Sequence, residues 1–428
     1  MATVLVVGSG GREHALARSL ADDADVGRVL CAPGNAGTAA LANVYNVPQA
    51  EPSEVVALAV REDVDLAVVG PEDALIDGLA DKLRHRGVRT LGFGRDAAQL
   101  RGSKIYAKRF MGKNGVPSPP YRVFNHPKPA LSYLEAMWAE APDQPYDVKP
   151  DEPCQGRGNQ VVRNVREAKR ALHSLLSDRA CGVGERVVVE EGIEGHDASL
   201  MALTDGQTLL TMPPAHVHRR LAESGTGPNT EGMGAYAPAA LLDEQVYGRV
   251  EAEIVFPTLD GLHTDRAASV GALDLGLRVD PKGKPHALAY HVGFGDPQTQ
   301  TLLALLASDL YPVLSACEDG RLDRTELRWR GGAAVSVVLT AESYPHDLAH
   351  QNEPIVGLAN VEAMSDVVVD HGGTDRRRGQ LVTRGGRVLT VTGTGPDMAS
   401  ARGRAYEAIG KIQFPGMSYR RDIAQQTP

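Results

Sequence analysis

The chemistry in this sequence is concentrated in a few short stretches. Gly8-Ser-Gly-Gly-Arg-Glu-His14 follows an apolar run and opens an amphipathic one. Glycines at such a junction let backbone amides approach an anion, and a helix N-terminus favours negative charge. The spacing falls short of a full G-x-G-x-x-G, and the next strand ends in Cys31-Ala-Pro-Gly-Asn35 with no acid to hold a ribose hydroxyl. These features point to a single sugar phosphate rather than a dinucleotide. A tight packing turn is the other reading of the same residues. Lys149-Pro-Asp-Glu-Pro-Cys-Gln-Gly-Arg-Gly158 is a strand end followed by a glycine-containing loop. It can fold over a triphosphate with Lys149 and Arg157 as counter-charges, or be a solvated basic turn made stiff by its prolines. Val189-Glu-Glu-Gly-Ile-Glu-Gly-His-Asp-Ala-Ser199 sets Glu190, Glu191 and Asp197 after an apolar strand. Backbone groups in such a hinge can read an adenine edge and a carboxylate can hold ribose hydroxyls; a charged strand connection is the alternative. Thr226–Gly234 holds three glycines, a proline and an asparagine, more backbone specification than a linker needs. His216, His218, Arg219 and Arg220 just upstream supply positive charge for an anion.

These loops need strands and helices to place them. Val4–Val7, Val29–Cys31, Val64–Val69 and Arg89–Phe93 are short, largely apolar segments that predict buried strands. Helical segments at Glu13–Leu20, Ser53–Arg61 and Asp77–Arg86 alternate with them. This is the grammar of a parallel α/β sheet, in which ligands bind at the carboxyl ends of the strands. Gly8–Gly11, Pro33–Gly37 and Gly70-Pro-Glu72 fall at those ends. The proline-rich break Val116–Tyr121 starts a second unit. It is predicted to have helices at Ala130–Ala139 and Glu167–Leu176 and strands at Asp147–Lys149, Gln160–Arg163 and Arg186–Glu191. Val270–Val279 and His286–Val292 flank Asp280-Pro-Lys-Gly-Lys-Pro285, a hairpin signal. Helices are predicted over Gln300–Cys317. The remaining chain reads as a small α+β cap, with strands at Ala334–Leu339 and Gly386–Thr392 and a helix at Met398–Ile412.

The 428 residues suffice for two to four domains. A formal net charge of −9 argues against nonspecific nucleic-acid binding, which needs basic surface to displace counterions. No apolar run reaches the roughly 18 residues needed to cross a bilayer. The N-terminus enters a strand directly, without a secretory signal. Cys31, Cys154, Cys181 and Cys317 lie far apart with no C-x-x-C spacing, a pattern suited to a reduced cytoplasm rather than a disulfide framework or zinc site.

Taken together, Gly8–Ala15, Pro33–Thr38, Gly70–Glu72, Gly102-Ser-Lys104, Thr226–Gly234, Phe294-Gly-Asp-Pro297 and Thr383–Leu389 resemble the phosphoribosylamine–glycine ligase family. The resemblance runs from Met1 to about Ile423. It implies a Rossmann-like sugar-phosphate domain over 1–101, an ATP-grasp unit over 102–325 with a lid at about 120–190, and a C-terminal cap over 326–428. It also implies a carboxylate–amine ligase that uses ATP and magnesium and passes through an acyl phosphate. Carried over residue by residue, Gly10, Gly11, Asn35, Gly37, Pro71 and Glu72 match the sugar-phosphate side, and Asn229, Thr230 and Gly232 the substrate loop. On the nucleotide side, Lys104 and Lys149 match lysines associated with the phosphates and Glu190 and Glu191 the adenine hinge, Asp197 stands where the family usually has a ribose-binding glutamate, and Arg157 lies in a phosphate loop that differs from the family's. Arg219 and Asp296 are candidates for catalytic work. The expected partners are a phosphorylated sugar amine and an amino-acid-like substrate, with no nucleic acid and no membrane, in a cytoplasmic monomer or homodimer.

One strand departs from the family. Where it typically reads Glu-Phe-Asn-Cys-Arg-Phe-Gly-Asp-Pro-Glu, this chain reads Ala289-Tyr-His-Val-Gly-Phe-Gly-Asp-Pro-Gln298. The magnesium-binding glutamate has become Ala289, the asparagine His291, the arginine Gly293 and the final glutamate Gln298. Magnesium requires oxygen ligands in near-octahedral geometry. If the hairpin pairs symmetrically, Asp274 stands opposite His291 on one face, as an alternative metal site or an acid–base pair. Three readings follow: a working ligase of this type; a diverged paralogue, such as one for nucleoside-type natural products, that keeps the phosphoribosyl pocket with another amine, carboxylate or ATP-independent reaction; and a non-catalytic binding protein.

Overall fold

In the computed structural model, residues 1–154, 158–178, 185–265, 267, 269–345 and 352–425 are described. The first sheet is parallel. Its spatial order is Val44–Asn46, Val26–Pro33, Ala2–Gly8, Leu66–Val69, Thr90–Leu91. Strand residues alternate between two buried faces, which is why Val4–Val7 is apolar without interruption. Val4 and Val6 pack with Leu16 and Leu20 of the helix Gly11–Ala21. Leu5 and Val7 pack with Val55, Leu58 and Leu79 on the other face. The strand order reverses at Ala2–Gly8 and Leu66–Val69, so the loops starting at Gly8 and Gly70 flank a topological switch point.

Two antiparallel sheets follow. The lid sheet orders Tyr121–Phe124, Val187–Glu191, Tyr146–Pro150 and Gln160–Val162, over a separate core containing Leu134, Trp138, Tyr146 and Leu172. The central sheet orders Leu209–Thr211, His196–Asp205, Val270–Val279 and Pro285–His291. Its inner residues join both faces of the first sheet's core: Leu273 and Leu275 one side, Met201 and Leu203 the other. The last large sheet orders His216–Val217, Gly234–Ala237, Ala333–Thr340, Arg387–Gly395 and Val367–His371. Its first two strands come from mid-chain and flank the glycine loop, so that loop springs from the C-terminal sheet.

Several predicted elements differ in extent. The helix expected over Asp77–Arg86 is Leu79–His85, which begins after Gly78, whose φ of 79° is left-handed; a short helix not expected from the sequence, Glu72–Ile76, precedes it. The helices expected within Gln300–Cys317 are Gln298–Leu305 and Tyr311–Glu318. Pro312 lies in the first turn of the second, where a missing N–H is tolerated. The Asp23 carboxylate accepts from the amides of Leu310 (3.0 Å) and Tyr311 (2.6 Å), a cap supplied from the N-terminal domain. The C-terminal region contains strands at Thr374–Arg377 and Gln380–Thr383 in addition to those expected. Among the cysteines, Cys31 and Cys317 are free and buried, whereas Cys154 is disulfide-bonded, a departure from the reading of four separate thiols. No helix among the described residues is long and apolar enough to cross a membrane.

Candidate active site

The first sheet, the lid, the central sheet and the C-terminal sheet surround one cleft of about 910 Å³. Gly10, Pro71 and Glu72 line it from the N-terminal domain, and Lys104, Lys149, Glu190 and Asp197 from the lid side. Arg219, Asn229, Thr230 and Glu231 come from the glycine loop and its approach, and Asp274, Ala289, His291, Asp296 and Gln298 from the hairpin and the turn after it. The expected site residues are therefore brought together, with exceptions. Gly11, Asn35, Gly37, Glu191 and Gly232 do not line the cleft, and Arg157 lies outside the described residues.

Asn35 is fully used in packing. Its amide nitrogen donates to the carbonyls of Ser9 (2.9 Å) and His371 (2.7 Å), and its oxygen accepts from the amides of Gly37 and Thr38. It joins the first glycine loop to the C-terminal sheet. Gly37 is small because a Cβ there would meet the His371 ring at 2.5 Å. Gly11 sits against Gln300 for the same reason. The Gly10 amide, expected to face an anion, donates to the Glu13 carboxylate at 2.6 Å. Glu13 is buried among Gly8, Gly10 and Gly70, each of which would clash with it if it carried a side chain. Its signal was legible as the acid three residues after a helix cap.

On the lid side, two lysines share one carboxylate. Glu190 lies 2.8 Å from Lys149 and 3.3 Å from Lys108, and all three side chains are buried. Burial opposes the charge on Glu190, but Lys149 and Lys108 hold its carboxyl below the usual range. Lys108, four residues after Lys104 on one helix face, is a cleft residue that the motif reading missed. Lys104 donates to the Glu152 carbonyl at 3.1 Å. Burial, then the nearby charges of Arg101 and Lys149, lower its pKa to about 7. Asp197 pairs with Arg278.

The glycine loop is held from both ends. Thr230 donates its amide (2.7 Å) and hydroxyl (2.9 Å) to the Arg219 carbonyl. Gly232, at φ 138°, runs so close to the Asp296–Pro297 turn that a Cβ would meet Pro297 at 2.6 Å. Asn229 reaches the Asn159 carbonyl of the lid at 3.3 Å. The expected role of His216 and His218 as anion-binding cations is corrected. Burial lowers both pKa values, that of His218 to about 3, and their rings contact each other and Tyr236. Burial thus disfavours the charged ring at both positions, although both line the cleft and His216 Nδ1 is 2.7 Å from the Asp197 carbonyl. Arg387, missed from the sequence, reaches in from the C-terminal sheet to Asp296 and Glu231, each at 3.1 Å.

The hairpin pairs Asp274 with His291, but not by uninterrupted pairing from the turn: Val279, Arg278 and Leu277 pair with Pro285, His286 and Ala287, one register off, and a bulge between Gly276 and Leu277 brings Asp274 opposite His291. The two do not form the expected side-chain pair. Asp274 accepts a hydrogen bond from Ser199 at 2.5 Å. With its amide nitrogen turned to the carboxylate, Gln298 donates to both oxygens of Asp274, at 3.1 and 3.2 Å. Burial raises the pKa of Asp274, against the opposing pull of His291 and the Ser199 hydroxyl. A glutamate at 298 would press a second carboxylate against it, so the amide at 298 suits the acid at 274. His291 turns instead to Glu72, with Nδ1 3.2 Å from Oε1. Glu72 also accepts from Arg101 (2.8 Å) and the Val292 amide (3.1 Å). Burial works against its charge, but Arg101 and His291 hold its carboxyl far below the usual range.

At residues 289, 291 and 298, where the resemblance places magnesium ligands, the chain presents no free carboxylate. Ala289 presents a methyl to the cleft, His291 is engaged by Glu72, Gln298 faces Asp274, and magnesium favours carboxylate oxygen. Among the described residues, no group of three or more His, Cys, Asp or Glu side chains could hold a metal. Asp274 and His291 do not form an alternative metal site. The lysine side, by contrast, fits phosphate groups.

Models of the phosphoribosylglycinamide synthetase family match the chain in three segments: its N domain over residues 2–101, its ATP-grasp domain over 102–299 and its C domain over 334–426. Phosphoribosylamine–glycine ligase of Ralstonia nicotianae is 40% identical over 424 residues, covering 99% of each chain. That of Pseudomonas aeruginosa is 40% identical, covering 98% of this chain and 97% of its own. The crystal structure of phosphoribosylamine–glycine ligase from Thermotoga maritima superposes with a TM-score of 0.84 at 30% identity, over 98% of this chain and 100% of that one. At 16% identity, a biotin carboxylase domain from Hydrogenobacter thermophilus, solved with magnesium–ADP and bicarbonate, shares the fold with a TM-score of 0.71, over 97% of this chain and 91% of that one.

Proposed function

The chain belongs to the phosphoribosylglycinamide synthetase family, and on that premise we propose that it joins the amine of 5-phosphoribosylamine to the carboxylate of glycine with ATP as phosphoryl donor. Glycine's carboxylate oxygen takes the terminal phosphoryl group, giving an acyl phosphate and ADP. The amine then attacks the acyl carbon, the C–O bond breaks, and phosphate leaves. Activation is needed because a carboxylate is a poor electrophile; the protein contributes positioning and electrostatic stabilisation.

Lys104 and Lys149 meet the nucleotide's phosphates, and the hinge at Glu190 and Glu191 with Asp197 holds its nucleoside end. Pro71 and the loop at Gly10 take the sugar phosphate. Asn229, Thr230 and Arg219 close over the amino acid, and Asp296, fixed by Arg387, faces the reacting carboxylate. Asn35, Gly11, Gly37 and Gly232 act by shaping the loops. None of these roles needs a metal at residue 289, 291 or 298. The observation that carries the reading is that segments matching all three family domains contribute side chains to one cleft: Glu72, Lys104 with Lys149, and Arg387. Phosphate release that requires ATP, glycine and phosphoribosylamine together is the expected result. Release without the amine, or none with all three, overturns it.

The hairpin favours a second reading. A diverged member would keep the sugar-phosphate side and use another amine and carboxylate, or no ATP. Ala289 and Gln298, both in the cleft, support it. Calorimetric titration separates the two: ATP binding in the presence of magnesium supports the first reading, while sugar-phosphate binding without ATP binding supports the second.

A further inference from the structure

His291 and Glu72 meet across 219 residues of chain, one on the hairpin and one at the start of the helix Glu72–Ile76. The geometry fixes the state of the ring. Glu72, flanked by Arg101 and His291 and held far below the usual carboxyl range, is ionised and can only accept hydrogen bonds. Nδ1 therefore carries the proton, and in the neutral ring the lone pair falls on Nε2. Nε2 has no hydrogen-bond partner among the described residues and is not one of the sealed, unpartnered buried atoms. The side chain is 20% exposed and lines the cleft. The other nearby acid does not compete for the ring, because Asp274 is occupied by Ser199 and Gln298. A carboxylate-oriented imidazole with its free nitrogen in a reaction cleft is arranged as a base.

Resting on the ligase reading above, we propose that His291, oriented by Glu72, is the general base of the amide-forming step. The nitrogen lone pair of the amine forms the C–N bond to the acyl carbon. The C–O bond to phosphate breaks, and phosphate leaves with that electron pair. One N–H proton of the attacking nitrogen passes to His291 Nε2 and from there to solvent. The histidine is thus a proton acceptor in the second half-reaction and has no part in phosphoryl transfer.

The two half-reactions can be read separately. Hydroxylamine traps an acyl phosphate as a hydroxamate and, as a strong nucleophile, needs little help from a base. With ATP and glycine, the unaltered chain should form hydroxamate with hydroxylamine and amide with phosphoribosylamine. His291→Ala and His291→Asn should lower the maximal rate of amide formation about 100-fold while leaving hydroxamate formation within about threefold. Thermal unfolding of each variant checks that it is folded; the asparagine variant keeps a polar side chain should the alanine variant not fold. A parallel fall of both products in folded variants overturns the assignment, as does unchanged amide formation. Absence of both products from the unaltered chain overturns the ligase reading itself, and this assignment with it.

Discussion

The lysine side and the hairpin side of the cleft handle buried charge in opposite ways. On the lysine side, Lys149 and Lys108 share Glu190 and Lys104 has a carbonyl for its partner, so positive charge is in excess. That arrangement suits an anion arriving from outside. On the hairpin side every charge is already answered from within: Glu72 by Arg101 and His291, Asp296 by Arg387, Asp274 by Ser199 and Gln298. A side that has satisfied its own carboxylates has none left for a metal.

The comparison can be broken most forcefully on the lysine side. Glu190→Ala leaves Lys149 and Lys108 buried without their shared carboxylate and should destabilise the protein by about 3–5 kcal/mol, measured by urea unfolding. On the hairpin side, Gln298→Glu sets a second carboxylate against Asp274. It should cost about 2 kcal/mol at neutral pH, and the loss should shrink on acidification, as one of the pair takes a proton. Equal stability at pH 7 would show that the amide at 298 is not coupled to Asp274. Gly232→Ala tests the approach of the glycine loop to Pro297. A left-handed φ and a 2.6 Å overlap predict a loss of about 1–3 kcal/mol, read as a lowered Tm.

The smallest effect is a pH dependence. Lys104 has a folded-state pKa of about 7 against 10.5 as its ordinary value. Between those values the unfolded chain binds more protons, so the contribution of Lys104 makes folding stability rise with pH across that window. The same lysine loses its charge as pH rises through about 7, so ADP affinity should weaken from pH 6 to pH 8. Replacing Lys104 with methionine should flatten both slopes.

Much of this was legible in local pattern. Runs such as Val4–Val7 specify a doubly buried parallel strand because nothing polar can occupy either face, and the turn Asp280–Pro285 marks a hairpin, although a bulge between Gly276 and Leu277, not the turn, brings Asp274 opposite His291. Family resemblance marked the glycine loop and the lysines. Local pattern did not separate glycines that open a loop to a ligand from those that admit a neighbouring side chain. Gly10 and Gly37 look alike in sequence, yet the first borders the cleft and the second makes room for His371. Nor did it distinguish a charged histidine from a neutral one: His216 and His218 lie beside arginines, and burial keeps them uncharged.

The amino-acid order alone therefore determined the strands, the helices and the place of the hairpin, because each depends on residues near one another in the chain. Only the tertiary structure decided which partner each charged group chose. His291 had an acid directly across the hairpin but took Glu72, brought from the N-terminal domain, because Asp274 was already hydrogen-bonded to Ser199 and Gln298. Pairing between buried charges falls off steeply with distance and depends on which competing donors are near, and those are set when the sheets pack together.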